Sequence, residues 1–168
     1  MGNNMINKLT NLLDDLIEKK NNKKQSWPIK EWTSNIFEAL IDTGHKEGYK
    51  VYCKTGNSRD GSEWLYDLTW LDYNTETKEL KKCALALESE WNMKESDIID
   101  DFSKLLLVRA DYKMFVFQQK NIKGFEDYIN KFRKLIQSYK DNKGDSYIIS
   151  CTISDEEDKF KHEILEAV

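Results

Sequence analysis

Three carboxylates have the types and spacing to do chemistry together: Asp67 in YDLTW, and Glu88 and Glu90 in the run CALALESEW. Glu88 and Glu90 are two residues apart, so on a β-strand they share one face. A hairpin with arms 63–73 and 82–91, turning within 74–81, pairs residues whose numbers sum to 155 and sets Asp67 opposite Glu88. The same register sets Leu65 against Glu90, Thr69 against Ala86 and Leu71 against Ala84 on the acidic face. On the other face it pairs Trp64 with Trp91, Leu68 with Leu87 and Trp70 with Leu85, a wall of large apolar groups. A slip by one residue would exchange the two faces.

Side chains directly opposite on antiparallel strands have Cβ atoms about 5 Å apart, so the three carboxylates are expected to converge. Like charges this close oppose each other's ionisation unless a cation compensates. A hard divalent cation such as Mg²⁺ takes a few carboxylate oxygens and leaves its other positions to water and phosphate. Asp67, Glu88 and Glu90 are therefore the expected metal ligands. The plainer alternative is a solvated strand face. Two features count against it: Ala84 and Ala86 look like positions covered by a helix, and the acids end an apolar run.

The rest of the composition narrows the chemistry. At 168 residues the chain suits a single domain, with its core at about 29–153, and aromatics at 12% supply enough apolar surface to fold it. His45 and His162 sit in polar neighbourhoods with no second His or Cys close by, which argues against a zinc site or a Ser-His-Asp triad. Cys53, Cys83 and Cys151 fall in apolar, strand-like stretches and read as reduced core residues. The net charge of −4 gives no global attraction to nucleic acid or an anionic membrane. No apolar run spans a bilayer and the first residues lack the apolar centre of a signal peptide, so a cytoplasmic location without membrane association is expected.

The elements that must position the acids follow from periodicity. Met5, Leu9, Leu12, Leu13, Leu16 and Ile17 mark a helix over 4–20. Trp32, Ile36, Phe37, Leu40 and Ile41 mark a second, with Gly44 as its stop. The period then changes to two, giving strands at 49–54, 63–73 and 82–91. A helix over 95–110 follows, with Ser96 as candidate cap and Asp97 and Asp100 in its first turn, then a strand at 112–118. A helix over 123–139, a strand at 145–153 and a short helix from Asp155 complete the reading. The expected class is α/β, a mixed central sheet flanked by helices.

Asp67, the pair Glu88 and Glu90, and the order of elements from Trp32 to Gln118 resemble the PD-(D/E)xK, or restriction-endonuclease-like, nuclease superfamily. That resemblance implies an α-β-β-β-α-β core, here with an extra N-terminal helix and a C-terminal helix-strand extension. It also implies an acid on the second strand and an acid-x-lysine on the third, which would correspond to Asp67 and Glu88. Glu90 stands where lysine is usual, as in some members, and others move the lysine to the following helix, where Lys104 in DDFSKLLLVRA matches. Glu38 resembles the extra acid that some members carry on the first helix.

The activity so implied is hydrolysis of phosphodiester bonds, with DNA as the expected substrate and Mg²⁺ or Mn²⁺ as cofactor. Asp67 and Glu88 would hold the metal, and Glu90 or Lys104 would position the nucleophile. Lys54 and Arg59, in the Gly-containing loop KTGNSRDGSE, are candidates for contact with a phosphate backbone. The alternative is a non-catalytic immunity, inhibitor or partner-binding protein of the same fold, which the acidic balance suits; a homodimer or a protein partner fits either reading. A nucleotide-binding enzyme lacks its glycine-rich phosphate loop.

Overall fold

The computed structural model describes residues 2–24, 26–156 and 159–168. The chain is α/β, with four α-helices and six strands among the described residues, and it divides into two compact units, Met1–Leu87 and Glu88–Val168. Elements run α1 (Gly2–Asn22), α2 (Ile29–Lys46), β1 (Lys50–Cys53), β2 (Leu68–Tyr73), β3 (Leu80–Glu90), α3 (Glu95–Leu107), β4 (Ala110–Gln119), α4 (Ile122–Ser138), β5 (Ser146–Ile153) and β6 (Lys159–Glu166). The order from α2 to β4 is helix, three strands, helix, strand, as the periodicity predicts.

In the first unit β1, β2 and the greater part of β3 form an antiparallel ladder. The stripe Trp32, Ile36, Phe37, Leu40 and Ile41 of α2 is buried, as are Leu9, Leu13 and Leu16 of α1. Gly44 does not end α2, which runs on to Lys46. It sits where a Cβ would lie 2.6 Å from Trp70 Nε1 and from Val51 Cγ2, so glycine here serves close packing rather than termination.

Three pairs of the expected β2–β3 register are present: Leu68 with Leu87, Thr69 with Ala86 and Trp70 with Leu85. Beyond Trp70 the ladder shifts, so Leu71 faces Cys83 rather than Ala84, and a second shift follows Asp72. These irregularities take up the residues of a turn built by Asn74, whose side chain accepts the N–H groups of Glu76 and Thr77, with Lys78 in the left-handed region. β2 is also shorter than expected. It starts at Leu68, because Leu65 adopts a φ of +70° that no strand accommodates, and Trp64 and Leu65 are exposed.

In the second unit β4 and β5 are parallel, joined by the α4 crossover, and β6 pairs antiparallel with β5, so the pairing is mixed. Phe102 of α3, Phe115 and Phe117 of β4, Phe132 of α4 and Tyr147 of β5 are almost completely buried against one another. Asn121 caps α4 by accepting the Gly124 N–H. Ser96 does not cap α3; Lys94 occupies that position without a side-chain bond. The expected helix from Asp155 is a correction: described residues 154–156 form one 3₁₀ turn, residues 157 and 158 lie outside the described set, and 159–166 form β6. Phe160 and Leu165 bury against the unit while charged neighbours stay outside, and pairing with β5 overrides the helix propensity of Lys, Glu and Leu. Among the described residues, no helix is long and apolar enough to cross a membrane.

Candidate functional site

The second unit gathers Glu88, Glu90, Asp101 and Lys104 around the junction of β3 and α3. β3 is buried continuously from Ala84 to Ser89 and ends on a half-buried Glu90, and Glu88 itself is only 1% exposed. A carboxylate so deeply withdrawn requires a charged or hydrogen-bonding partner. Lys104 supplies one: its Nζ lies 3.1 Å from Glu88 Oε2 and 2.7 Å from Asp101 Oδ1.

The rotation of α3 makes this contact. Ile98, Phe102, Leu105 and Leu106 face the interior, and the Phe102 ring stacks on Phe132 with centroids 4.0 Å apart. Burying Phe102 completely is worth about 2–3 kcal/mol, enough to fix which face of a short helix turns inward. Asp101 and Lys104, one helical turn apart, then flank that buried stripe, and the apolar stem of Lys104 carries its ammonium to the strand.

The turn from β3 into α3 is built by Asn92. Its backbone N–H donates to Glu90 Oε1 at 2.5 Å, its side-chain amide donates to Asp97 Oδ2 at 2.9 Å, and its side-chain oxygen accepts the Lys94 N–H at 3.1 Å. The Gln118 amide of β4 donates to the Trp91 carbonyl and fixes the same segment. Glu95 and Asp97 in the first turn of α3 favour the helix dipole.

Charge is unevenly balanced here. Burial pushes the Glu90 carboxyl up from its ordinary value; the Asn92 N–H opposes this, and the hydrogen-bonded Asp101 carboxylate and the nearby Asp97 add to the rise. For Lys104, partial burial works against the ammonium, but the bonds and charges of Asp101 and Glu88 outweigh it and raise its pKa above that of an ordinary lysine. Lys104 is thus a fixed cation near neutrality, suited to steadying negative charge and unsuited to taking up a proton.

The first unit holds the remaining candidates. Asp67 lies just before β2, its carbonyl accepting the Lys54 N–H and its Oδ2 lying 2.6 Å from Lys54 Nζ. That ammonium also sits 5.5 Å from the centre of the Phe37 ring. Lys54 thus has a carboxylate partner and an aromatic neighbour within its own unit. Glu38 is on the exposed face of α2, accepting from the Ser34 hydroxyl. Arg59 is exposed on a loop that proves to be tied down: Ser58 donates to the Val51 carbonyl, and Asp60 Oδ2 lies 2.8 Å from both Val51 N and His45 Nε2.

Among the described residues, no three His, Cys, Asp or Glu side chains form a ready-made metal cage. The side-chain acceptors at the β3–α3 junction are carboxylate oxygens, the ligand type that hard cations take. Mg²⁺ in particular uses one or two carboxylates and completes its shell with water and phosphate.

Sequence reasoning passed over Asp101, although its i,i+3 spacing from Lys104 was a usable signal. It also passed over Lys113 of β4, which is 1% exposed, pairs with Asp145 and lies 3.5 Å from the Tyr147 hydroxyl. Burial pushes that phenol up to about 12. A lysine in mid-strand gives no periodic hint of such burial. Comparison of the chain with protein-family models, with curated proteins and with solved structures found no match in any of the three.

Proposed function

We propose that the protein is a metal-dependent nuclease, hydrolysing phosphodiester bonds with DNA as the preferred substrate class, and that the β3–α3 junction is its reacting centre. The observation that carries this reading is the ammonium of Lys104, brought from α3 to within 3.1 Å of a buried Glu88. This is the arrangement expected where the lysine of an acid-x-lysine motif is displaced onto the following helix. A strand carboxylate buried at such cost has a use that a solvated acid would not need.

In this reading Glu88 and Glu90 are the carboxylates that hold Mg²⁺ or Mn²⁺. The cation, when bound, supplies an activated water and offsets charge on the phosphate. The chain's own residues do the rest. Lys104 remains protonated and presents a fixed positive charge to a phosphate oxygen, a contribution that grows as charge develops in the transition state. Glu90, held at the end of β3 by the Asn92 N–H, is the second of these carboxylates.

The reading is tested by calorimetric titration of Mn²⁺ into the protein, together with incubation of linear and supercoiled DNA, and of RNA, with Mg²⁺, Mn²⁺ or chelator. Saturable Mn²⁺ binding with chelator-sensitive cleavage is the expected result. Absence of both, in protein with a cooperative melt, contradicts it.

A further inference from the structure

The ammonium of Lys104 meets two carboxylates, yet only Glu88 belongs to the motif. Half the lysine side chain, 51%, is open to solvent, and a flexible stem held at one point there would swing away from the strand. Asp101 supplies the second point at 2.7 Å, closer than Glu88, from the same helix and with its own side chain 20% exposed. An ammonium has three donors; Asp101 and Glu88 engage two of them and leave one for a further acceptor.

We infer that Asp101 is a positioning residue that anchors the Lys104 ammonium against Glu88, aiming its remaining N–H outward to receive a phosphate oxygen. The outward role rests on the nuclease reading; the anchoring does not. An ordinary i,i+3 helix pair would stabilise α3 slightly and leave the lysine's hold on Glu88 unchanged, which separates the two explanations.

The test is the order parameter of the Lys104 ammonium from ¹⁵Nζ relaxation, in wild type and in Asp101→Asn and Asp101→Glu proteins. Anchoring requires the order to fall by about half in Asp101→Asn and to be recovered largely in Asp101→Glu. Unchanged order in Asp101→Asn overturns the inference; should that variant not fold, Asp101→Ser is measured under the same criterion. Kinetics then addresses the functional part: for an active wild type, kcat of Asp101→Asn falls about tenfold with KM nearly constant, and the effect is not additive with Lys104→Met. An inactive wild type whose lysine order depends on Asp101 removes the nuclease reading and leaves the anchoring supported.

Discussion

Replacing Lys104 with methionine keeps the apolar stem and removes only the charge, which isolates what the ammonium does for Glu88. At 3.1 Å a full charge pair in a medium of effective dielectric about 20 is worth about 5 kcal/mol before desolvation is counted. Breaking a fully buried pair from one side costs about 3–5 kcal/mol. Here the Glu88 side chain is 2% exposed but the lysine is 51% exposed, so solvent screening on the lysine's side reduces the loss. The expected cost is about 2 kcal/mol at pH 7, or about 4–8 °C in Tm.

The pH dependence carries the sharper sign. Without the ammonium, folded Glu88 has a pKa raised above its unfolded value of about 4.3. The folded variant then binds more protons than the unfolded chain between those two values, so its stability falls as pH rises through that window. In wild type Lys104 stays charged throughout, its pKa being raised, and its contribution fades only above about pH 10. Denaturant titrations at pH 5 and pH 8 should therefore show the larger difference between the two proteins at pH 8. An equal difference at both, or a loss under about 0.5 kcal/mol at pH 7, would refute the claim that Lys104 neutralises a buried Glu88.

Asp60 is pulled down despite its burial by the Val51 N–H and by His45, so its contribution exists above about pH 4 and is lost as pH falls through its folded pKa. Asp60→Asn should cost about 1–2 kcal/mol at pH 7 and little at pH 3, read from melts at both; equal losses would contradict this. Gly44→Ala should lose about 1–3 kcal/mol, because the added methyl meets Trp70 and Val51, and an unchanged denaturation midpoint would show that this packing yields freely. Lys113→Met should stay within about 1 kcal/mol of wild type, since Asp145 is 30% exposed and can hydrate, whereas Lys113→Ala should lose about 2–4 kcal/mol through its cavity. Equal losses in the two denaturation curves would show that the ion pair matters more than the volume.

Periodicity carried the order of elements because the apolar stripes of α2, α3 and α4 and the run Ala84 to Leu87 are long and regular. It failed where one residue's backbone decided the outcome. The left-handed Leu65 cut β2 short, and the turn at Asn74 to Lys78 shifted the register beyond Trp70. Neither is encoded in an alternating pattern. β6 is not legible as a strand because Lys, Glu and Leu suit an isolated helix, while pairing with β5 is a long-range effect. For the site, the helix spacing of Lys104 was legible, and its meeting with Glu88 follows from the packing of Phe102. The pairing of Asp67 with Lys54 is not legible, because the two lie 13 residues apart in irregular segments that no periodic pattern brings together.

The most direct measurement of the central claim is metal-dependent cleavage of DNA by wild type and by Glu88→Gln, on preparations whose melting has been compared first. Glu88→Gln keeps the shape of a side chain that is 2% exposed and leaves Asp101 to hold Lys104, so the fold should change by less than about 1 kcal/mol. Wild type is predicted to cleave with Mg²⁺ or Mn²⁺ and to stop with chelator, while the folded variant loses at least about a hundredfold in rate. Cleavage by folded Glu88→Gln at the wild-type rate, or none by wild type with either metal, would contradict the account.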